Sequence, residues 1–219
     1  MKVKICGITR LEDGVTAVTL GADMLGFNFY TGSKRYITPE KAAAIIADLR
    51  THMHANAMQA VLLVGIFVNS PREEVQQIMM QCGLDWAQLC GDEPVEMLHA
   101  LSGRAFKAIR PSTHHEADAL LQTFASPQQT PAILVDAYQP GEYGGSGQTG
   151  DWALAARVAH RYPLLLAGGL TPHNVGTAVQ QVQPWGVDVA SGVESAPGIK
   201  DAQKVAAFIK EAKAASHNR

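Results

Sequence analysis

Four points along the 219-residue sequence combine reactive or anion-accommodating residue types with abrupt turns: Cys6-Gly7, Asp136, Gly168-Gly169 and Ser191-Gly192. A thiol and a carboxyl group can exchange protons with a substrate. Glycine-rich turns let an anion approach backbone N–H groups closely. Each point follows a short apolar or β-branched run, so all four fall at the ends of predicted strands. A strand-end cysteine is often just a small buried residue, and an aspartate there is often a turn or cap residue. Neither alone marks a site, but their joint appearance with two glycine-rich turns at one end of a sheet does.

The elements that would position them recur along the whole chain. Strand-like runs are predicted at Val3–Cys6, Met24–Phe29, Ala60–Val68, Asp85–Leu89, Ala105–Ile109, Ala132–Asp136, Leu164–Ala167 and Gly186–Ala190. Helix starts are signalled between them: Thr38-Pro39, Ser70-Pro71 and Thr171-Pro172 pair an N-cap with a first-turn proline, and Thr113 with Glu116 resembles a capping box. Predicted helices such as Pro39–Arg50, Pro71–Gln81 and Asp201–Ala215 carry apolar residues at three- and four-residue spacing, as helices laid on a sheet do. Strict alternation implies a parallel sheet with right-handed crossovers, and eight units in this length fit a closed α/β (β/α)8 TIM barrel, a single domain over residues 1–219.

An open doubly wound sheet is the alternative, because Gly145, Gly147 and Gly150 match G-x-G-x-x-G. Several loop residues separate that motif from Asp136, however, and Leu170 and Thr171 stand where an acidic ribose ligand should be. The motif therefore reads as a glycine-rich strand-to-helix loop that can act as a lid.

In a barrel the active site lies at the C-terminal strand ends, and the loops after strands seven and eight commonly bind phosphate through backbone N–H groups. Gly168, Gly169, Ser191 and Gly192 suit that role. Residues two apart in a strand share a face, so Lys4 should point into the barrel with Cys6 and meet Asp188 of the neighbouring eighth strand, since an unpaired charge there is costly. Lys4 would also favour the Cys6 thiolate.

Bulk properties exclude several functional classes. A net charge of -2 without a basic run gives no electrostatic reason to bind nucleic acid. No apolar run approaches the roughly 20 residues of a membrane span, and the strand-like residues after Met1 leave no room for a signal peptide, so a cytoplasmic protein is expected. Cys6, Cys82 and Cys90 are odd in number and form no C-x-x-C pair, and the eight histidines show no ligand spacing. Free thiols, no metal and no cofactor are expected.

Further stretches run over most of the chain: Lys4 to Thr9 (KICGIT), Gly26-Phe27, Ser33 to Ile37 (SKRYI), Gly65 to Asn69 (GIFVN), Gln88-Leu89, Asp136 with Glu142 to Gly147 (EYGGSG), Ala167 to Leu170 (AGGL), and Asp188 with Ser191 to Glu194 (SGVE). In their order and their placement at successive strand ends they resemble phosphoribosylanthranilate isomerase. The resemblance implies an Amadori rearrangement of phosphoribosylanthranilate in tryptophan biosynthesis, on a small phosphorylated substrate and without cofactor, by a monomer or homodimer. It assigns Asp136 as the general acid that protonates the furanose oxygen and Cys6 as the general base that removes the C2 proton. The acid must be held protonated in a partly desolvated pocket, and the base must lose its proton. Arg35 would clamp the anthranilate carboxylate through its guanidinium fork. From composition alone Ser33-Lys34-Arg35 reads equally well as a solvated basic loop.

One departure is Cys90-Gly91 where the family commonly has His-Gly; it places a second thiol near the mouth. Two other readings use the same barrel. A dual-substrate relative acting also in histidine biosynthesis typically has aspartate in place of Cys6, and a noncatalytic phosphate-binding barrel would not need both Cys6 and Asp136.

Overall fold

The structure, a computed structural model, describes residues 1–101, 103–136 and 152–217. The glycine-rich stretch from Glu142 to Gly150 lies outside them. Strands β1 (Lys2–Ile5), β2 (Met24–Asn28), β3 (Leu62–Phe67), β4 (Trp86–Leu89), β5 (Ala105–Ile109), β6 (Ile133–Val135), β7 (Leu164–Leu166) and β8 (Gly186–Val189) alternate with helices α1 (Leu11–Thr19), α2 (Pro39–Ala55), α3 (Arg72–Cys82), α4 (Val95–Ala100), α5 (His114–Phe124), α6 (Trp152–Ala159) and α7 (Val175–Val182). Neighbouring strands pair in parallel in sequence order, and β8 closes the barrel on β1 with Lys4 opposite Asp188. All eight predicted strands are present. A hairpin of β9 (Glu194–Ala196) and β10 (Ile199–Lys200), with no counterpart in the sequence reading, precedes the final α8 (Ala202–His217).

The two-residue period of the strands separates two cores. Alternate strand residues such as Val3, Ile5, Leu25, Phe27, Leu63 and Phe67 pack outward against the helices. Inside the barrel lie Cys6, Met24, Val64, Ile66, Phe106, Leu134 and Leu165, together with Lys4, whose surface is fully buried. Lys4 Nζ donates to Asp188 Oδ1 at 2.9 Å, as expected for a charge that cannot be left unpaired there.

Helix starts are only partly as the sequence implies. Thr38 caps α2 by accepting from Lys41 N at 3.3 Å, and Thr113 caps α5 by accepting from Glu116 N at 3.1 Å. The Glu116 carboxylate does not close the capping box on Thr113; it accepts from Ser112 N and Oγ at 2.8 and 2.7 Å. Pro71, not Ser70, occupies the cap position of α3, without a side-chain cap. Thr171-Pro172 opens a turn in which Thr171 O accepts from Asn174 N at 3.2 Å and Val175 N at 3.0 Å and Asn174 Oδ1 accepts from Thr171 N at 2.7 Å, and regular α7 follows from Val175.

Candidate active site at the barrel mouth

Cys6, Arg35, Gln88, Cys90, Arg110 and Asp136 line one cavity at the C-terminal strand ends. A second hollow is lined by Gly168, Gly169 and Ser191, and Asp136, Asp188 and Ala190 line both. The acid and base candidates, the basic loop residue and most of the candidate phosphate turns therefore share one mouth. Gly192 does not line the hollow. Larger clefts lie at the opposite barrel end beside Lys2 and Trp185 and between α3 and α4, away from these groups.

Backbone bonds fix the end of β1: Cys6 N donates to Val189 O at 2.8 Å, and both Gly7 N and Ile8 N donate to Gly26 O at 2.9 Å. Gly26 leaves room here, since a Cβ would come within 2.8 Å of Cys6 Sγ and 3.1 Å of Lys4 Nζ. Burial pushes the Cys6 thiol up from its ordinary value, and although Lys4 pulls it down, Asp188 opposes Lys4 and the net direction is up. Lys4 favours the thiolate as expected, but it does not win. Its own ammonium is pulled down by burial and, more strongly in sum, held up by Asp188 and Cys6. The second thiol at the mouth, Cys90, is pushed by burial up to about 11.

Asp136 leaves β6 with its N–H on Ile109 O at 3.1 Å, and its Oδ2 lies 3.8 Å from Arg110 Nε. Arg110 Nη1 donates to Cys90 O at 2.9 Å, which ties the exits of β4 and β5 together. Sequence reasoning missed Arg110, although the signal was available: Phe106, Ala108 and Arg110 follow the inward parity of β5. Gln88 was noted only as a motif residue. Its Nε2 donates to Cys90 Sγ at 3.2 Å, while its buried Oε1 has no hydrogen-bond partner among the described residues. A ligand N–H or O–H would supply one.

Arg35 reaches the cavity from the loop between β2 and α2, but its guanidinium is already forked onto Glu194: Nε to Oε1 at 2.8 Å and Nη2 to Oε2 at 2.7 Å. Glu194 had been read only as part of a motif. Burial pushes its carboxyl up, and Arg35 with Lys200 more than reverses this, so it stays ionised below the ordinary carboxyl range.

At the second hollow, Gly168 and Gly169 take φ values of 94° and 63°, the left-handed region that glycine adopts without strain. Gly169 O accepts from Asn174 Nδ2 at 3.0 Å, so the turn is pinned to the start of α7. Ser191 begins a three-residue 3-10 turn, Ser191–Val193. At Gly192 a Cβ would collide with Leu170 O; its lack of a side chain lets the β7 and β8 exits pack backbone to backbone. Among the described residues no three His, Cys, Asp or Glu side chains gather as a metal site requires, and the three cysteines are free thiols.

The family profile described as N-(5'phosphoribosyl)anthranilate (PRA) isomerase matches residues 3–211. An N-(5'-phosphoribosyl)anthranilate isomerase of Geobacter sulfurreducens is 47% identical over 213 residues, 97% of this chain and 98% of that protein. One of a Roseiflexus species is 48% identical over 218 residues, covering 99% of each. Among solved structures, phosphoribosyl anthranilate isomerase from Thermotoga maritima superposes with a TM-score of 0.85 at 39% identity, covering 98% of this chain and 99% of that one. A structure described as such an isomerase in complex with reduced 1-(O-carboxyphenylamino)-1-deoxyribulose 5-phosphate gives a TM-score of 0.82 at 37% identity, with the same coverage.

Proposed function

The chain belongs to the N-(5'-phosphoribosyl)anthranilate isomerase family, and from that membership we propose that Cys6 and Asp136 divide the proton transfers of the reaction across the barrel mouth. The enzyme is an isomerase of tryptophan biosynthesis that catalyses the Amadori rearrangement of N-(5-phosphoribosyl)anthranilate to 1-(2-carboxyphenylamino)-1-deoxyribulose 5-phosphate. Asp136 gives its proton to the furanose ring oxygen as the C1–O bond breaks and the nitrogen lone pair forms an iminium. Arg110, 3.8 Å away, stabilises the carboxylate that remains. The Cys6 thiolate then takes the C2 proton, the C–H electrons form the C1=C2 bond, and the iminium nitrogen regains its lone pair. The resulting enol becomes the C2 ketone as its hydroxyl gives up a proton and C1 takes one.

Arg35 takes the anthranilate carboxylate, and the turns at Gly168, Gly169, Ser191 and Gly192 take the phosphate. Gly192 acts by holding the two turns in contact. Both proton transfers are supplied by side chains, so we assign no cofactor or metal. We take residues 1–219 as one catalytic domain acting in the cytoplasm, where a charged phosphate ester is retained by the membrane. All assigned residues belong to one chain, so a monomer or a homodimer would be equally complete.

The observation that carries this reading is that Cys6, Arg35 and Asp136 line one cavity whose wall, through Asp136, Asp188 and Ala190, continues into the glycine turns. Its test is turnover of phosphoribosylanthranilate, followed by loss of substrate fluorescence. Positioned proton transfer is worth about 10² to 10⁴ in rate, so Cys6→Ala and Asp136→Asn should each lower kcat at least about a hundredfold with little change in KM, and a chelator should leave wild-type turnover intact. A folded variant with near-native kcat would remove that residue from its role.

A further inference from the structure

We propose that Glu194 is a positioning residue, holding Arg35 in the one orientation that receives the substrate's ring carboxylate. The proposal rests on the assignment of Arg35 to that carboxylate, and it gives the hairpin β9–β10 a purpose in the reaction.

Arg35 is constrained along its whole length. Its stem lies over Gly7, where a Cβ would come within 2.6 Å of Arg35 Cδ, and φ at Gly7 is +76°. Its head is forked onto Glu194, 159 positions later in the chain. Glu194 is itself immobilised: Oε1 also accepts from Lys200 Nζ of β10 at 2.9 Å and from Gly198 N of the hairpin turn at 3.3 Å. The side chains of Glu194 and Lys200 are 5% and 1% exposed. Lys200 Nζ further donates to Ala190 O at 3.1 Å, which anchors the hairpin to the exit of β8.

Two consequences follow from this arrangement. The first is directional. Glu194 occupies Nε and Nη2 of the guanidinium side-on, so a ligand carboxylate must approach the other end, through Nη1 and the remaining Nη2 hydrogen. The second concerns charge. Arg35 and Lys200 against Glu194 leave one net positive charge in a partly buried site, which an anthranilate carboxylate would neutralise. An arginine without the brace would have to be ordered by the ligand, and affinity would be lost to that ordering.

The experiment separates the two ends of the substrate by using anthranilate and inorganic phosphate as competitive probes, alongside KM and kcat for phosphoribosylanthranilate. Glu194→Asp keeps the charge that Lys200 needs but shortens the reach to Arg35; Glu194→Gln keeps the shape and removes the charge. Both should weaken anthranilate inhibition and raise KM by about tenfold, with kcat within about threefold of wild type and phosphate inhibition unchanged. In an Arg35→Met background, Glu194→Asp should have no further effect, because the brace then has nothing to hold. Wild-type anthranilate inhibition in Glu194→Asp would overturn the proposal, as would effects that multiply in the double variant or an equal loss of phosphate inhibition. If Arg35→Met itself leaves anthranilate inhibition unchanged while phosphate inhibition persists, the assignment of Arg35 falls and the brace with it. Glu194→Asp keeps the test decisive if Glu194→Gln does not fold.

Discussion

The thiol of Cys6 is asked to act as a base in a place that resists its ionisation. Burial outweighs the attraction of Lys4, so its proton is held more tightly than in an exposed cysteine. A base works only when deprotonated, and below its pKa the active fraction falls tenfold for each unit of pH. The thiolate absorbance that wild type shows and Cys6→Ala lacks should therefore develop only above about pH 8.5, the ordinary thiol value, whereas kcat/KM also depends on a protonated Asp136 and reports the two groups together. A Cys6-dependent thiolate signal already complete at neutral pH would contradict the upward shift. Cys6 and Asp136 were legible in the sequence because each ends an inward-facing strand run. Arg110 was overlooked because it stands one residue beyond β5, just before Pro111, where strand parity was not extended. Glu194 was opaque for a different reason: its partner Arg35 lies 159 positions away, and no local pattern encodes such a pairing.

At the scale of elements, the barrel strands were readable because each is a short apolar run bounded by turn residues, whereas the hairpin was not. Glu194–Ala196 and Ile199–Lys200 are three and two residues long, and their charged ends read as loop. The Thr171-Pro172 signal marks the first helix-type bond, Val175 N to Thr171 O at 3.0 Å, and the regular turns of α7 start at Val175. The exits of β7 and β8 meet at Gly192, where any side chain would have to push the Leu170 carbonyl away. Overpacking at such a contact typically costs 1–3 kcal/mol, so Gly192→Ala should lower Tm by several degrees. Because the glycine turns lose their mutual placement, inhibition by inorganic phosphate should weaken by about tenfold or more, a loss equivalent to roughly 1.4 kcal/mol. Unchanged Tm and phosphate inhibition would show that the contact is not needed to hold the turns.

Closure of the barrel brings the ends of the chain together, and the pair that meets at the seam is charged. Lys4 on β1 stands opposite Asp188 on β8, fully buried and bonded at 2.9 Å. Parity and the eightfold count made that contact predictable from sequence. Breaking one partner of a buried pair typically costs 3–5 kcal/mol, while replacing both with apolar residues is often close to neutral. Lys4→Met should thus destabilise strongly in urea unfolding, and Lys4→Met with Asp188→Leu should recover most of the loss. Additive penalties would mean that the two charges do not depend on each other.

Whether one mouth receives the two ends of the substrate and places acid and base between them is decided by a crystal structure of this chain with the reduced product analogue bound. The ring carboxylate should lie on the Nη1 end of Arg35, the phosphate on the N–H groups of the turns at Gly168, Gly169 and Ser191, and C2 beside Cys6 Sγ with Asp136 facing the ring-derived oxygen. A ligand seated in reverse, or bound away from Cys6 and Asp136, would contradict this arrangement.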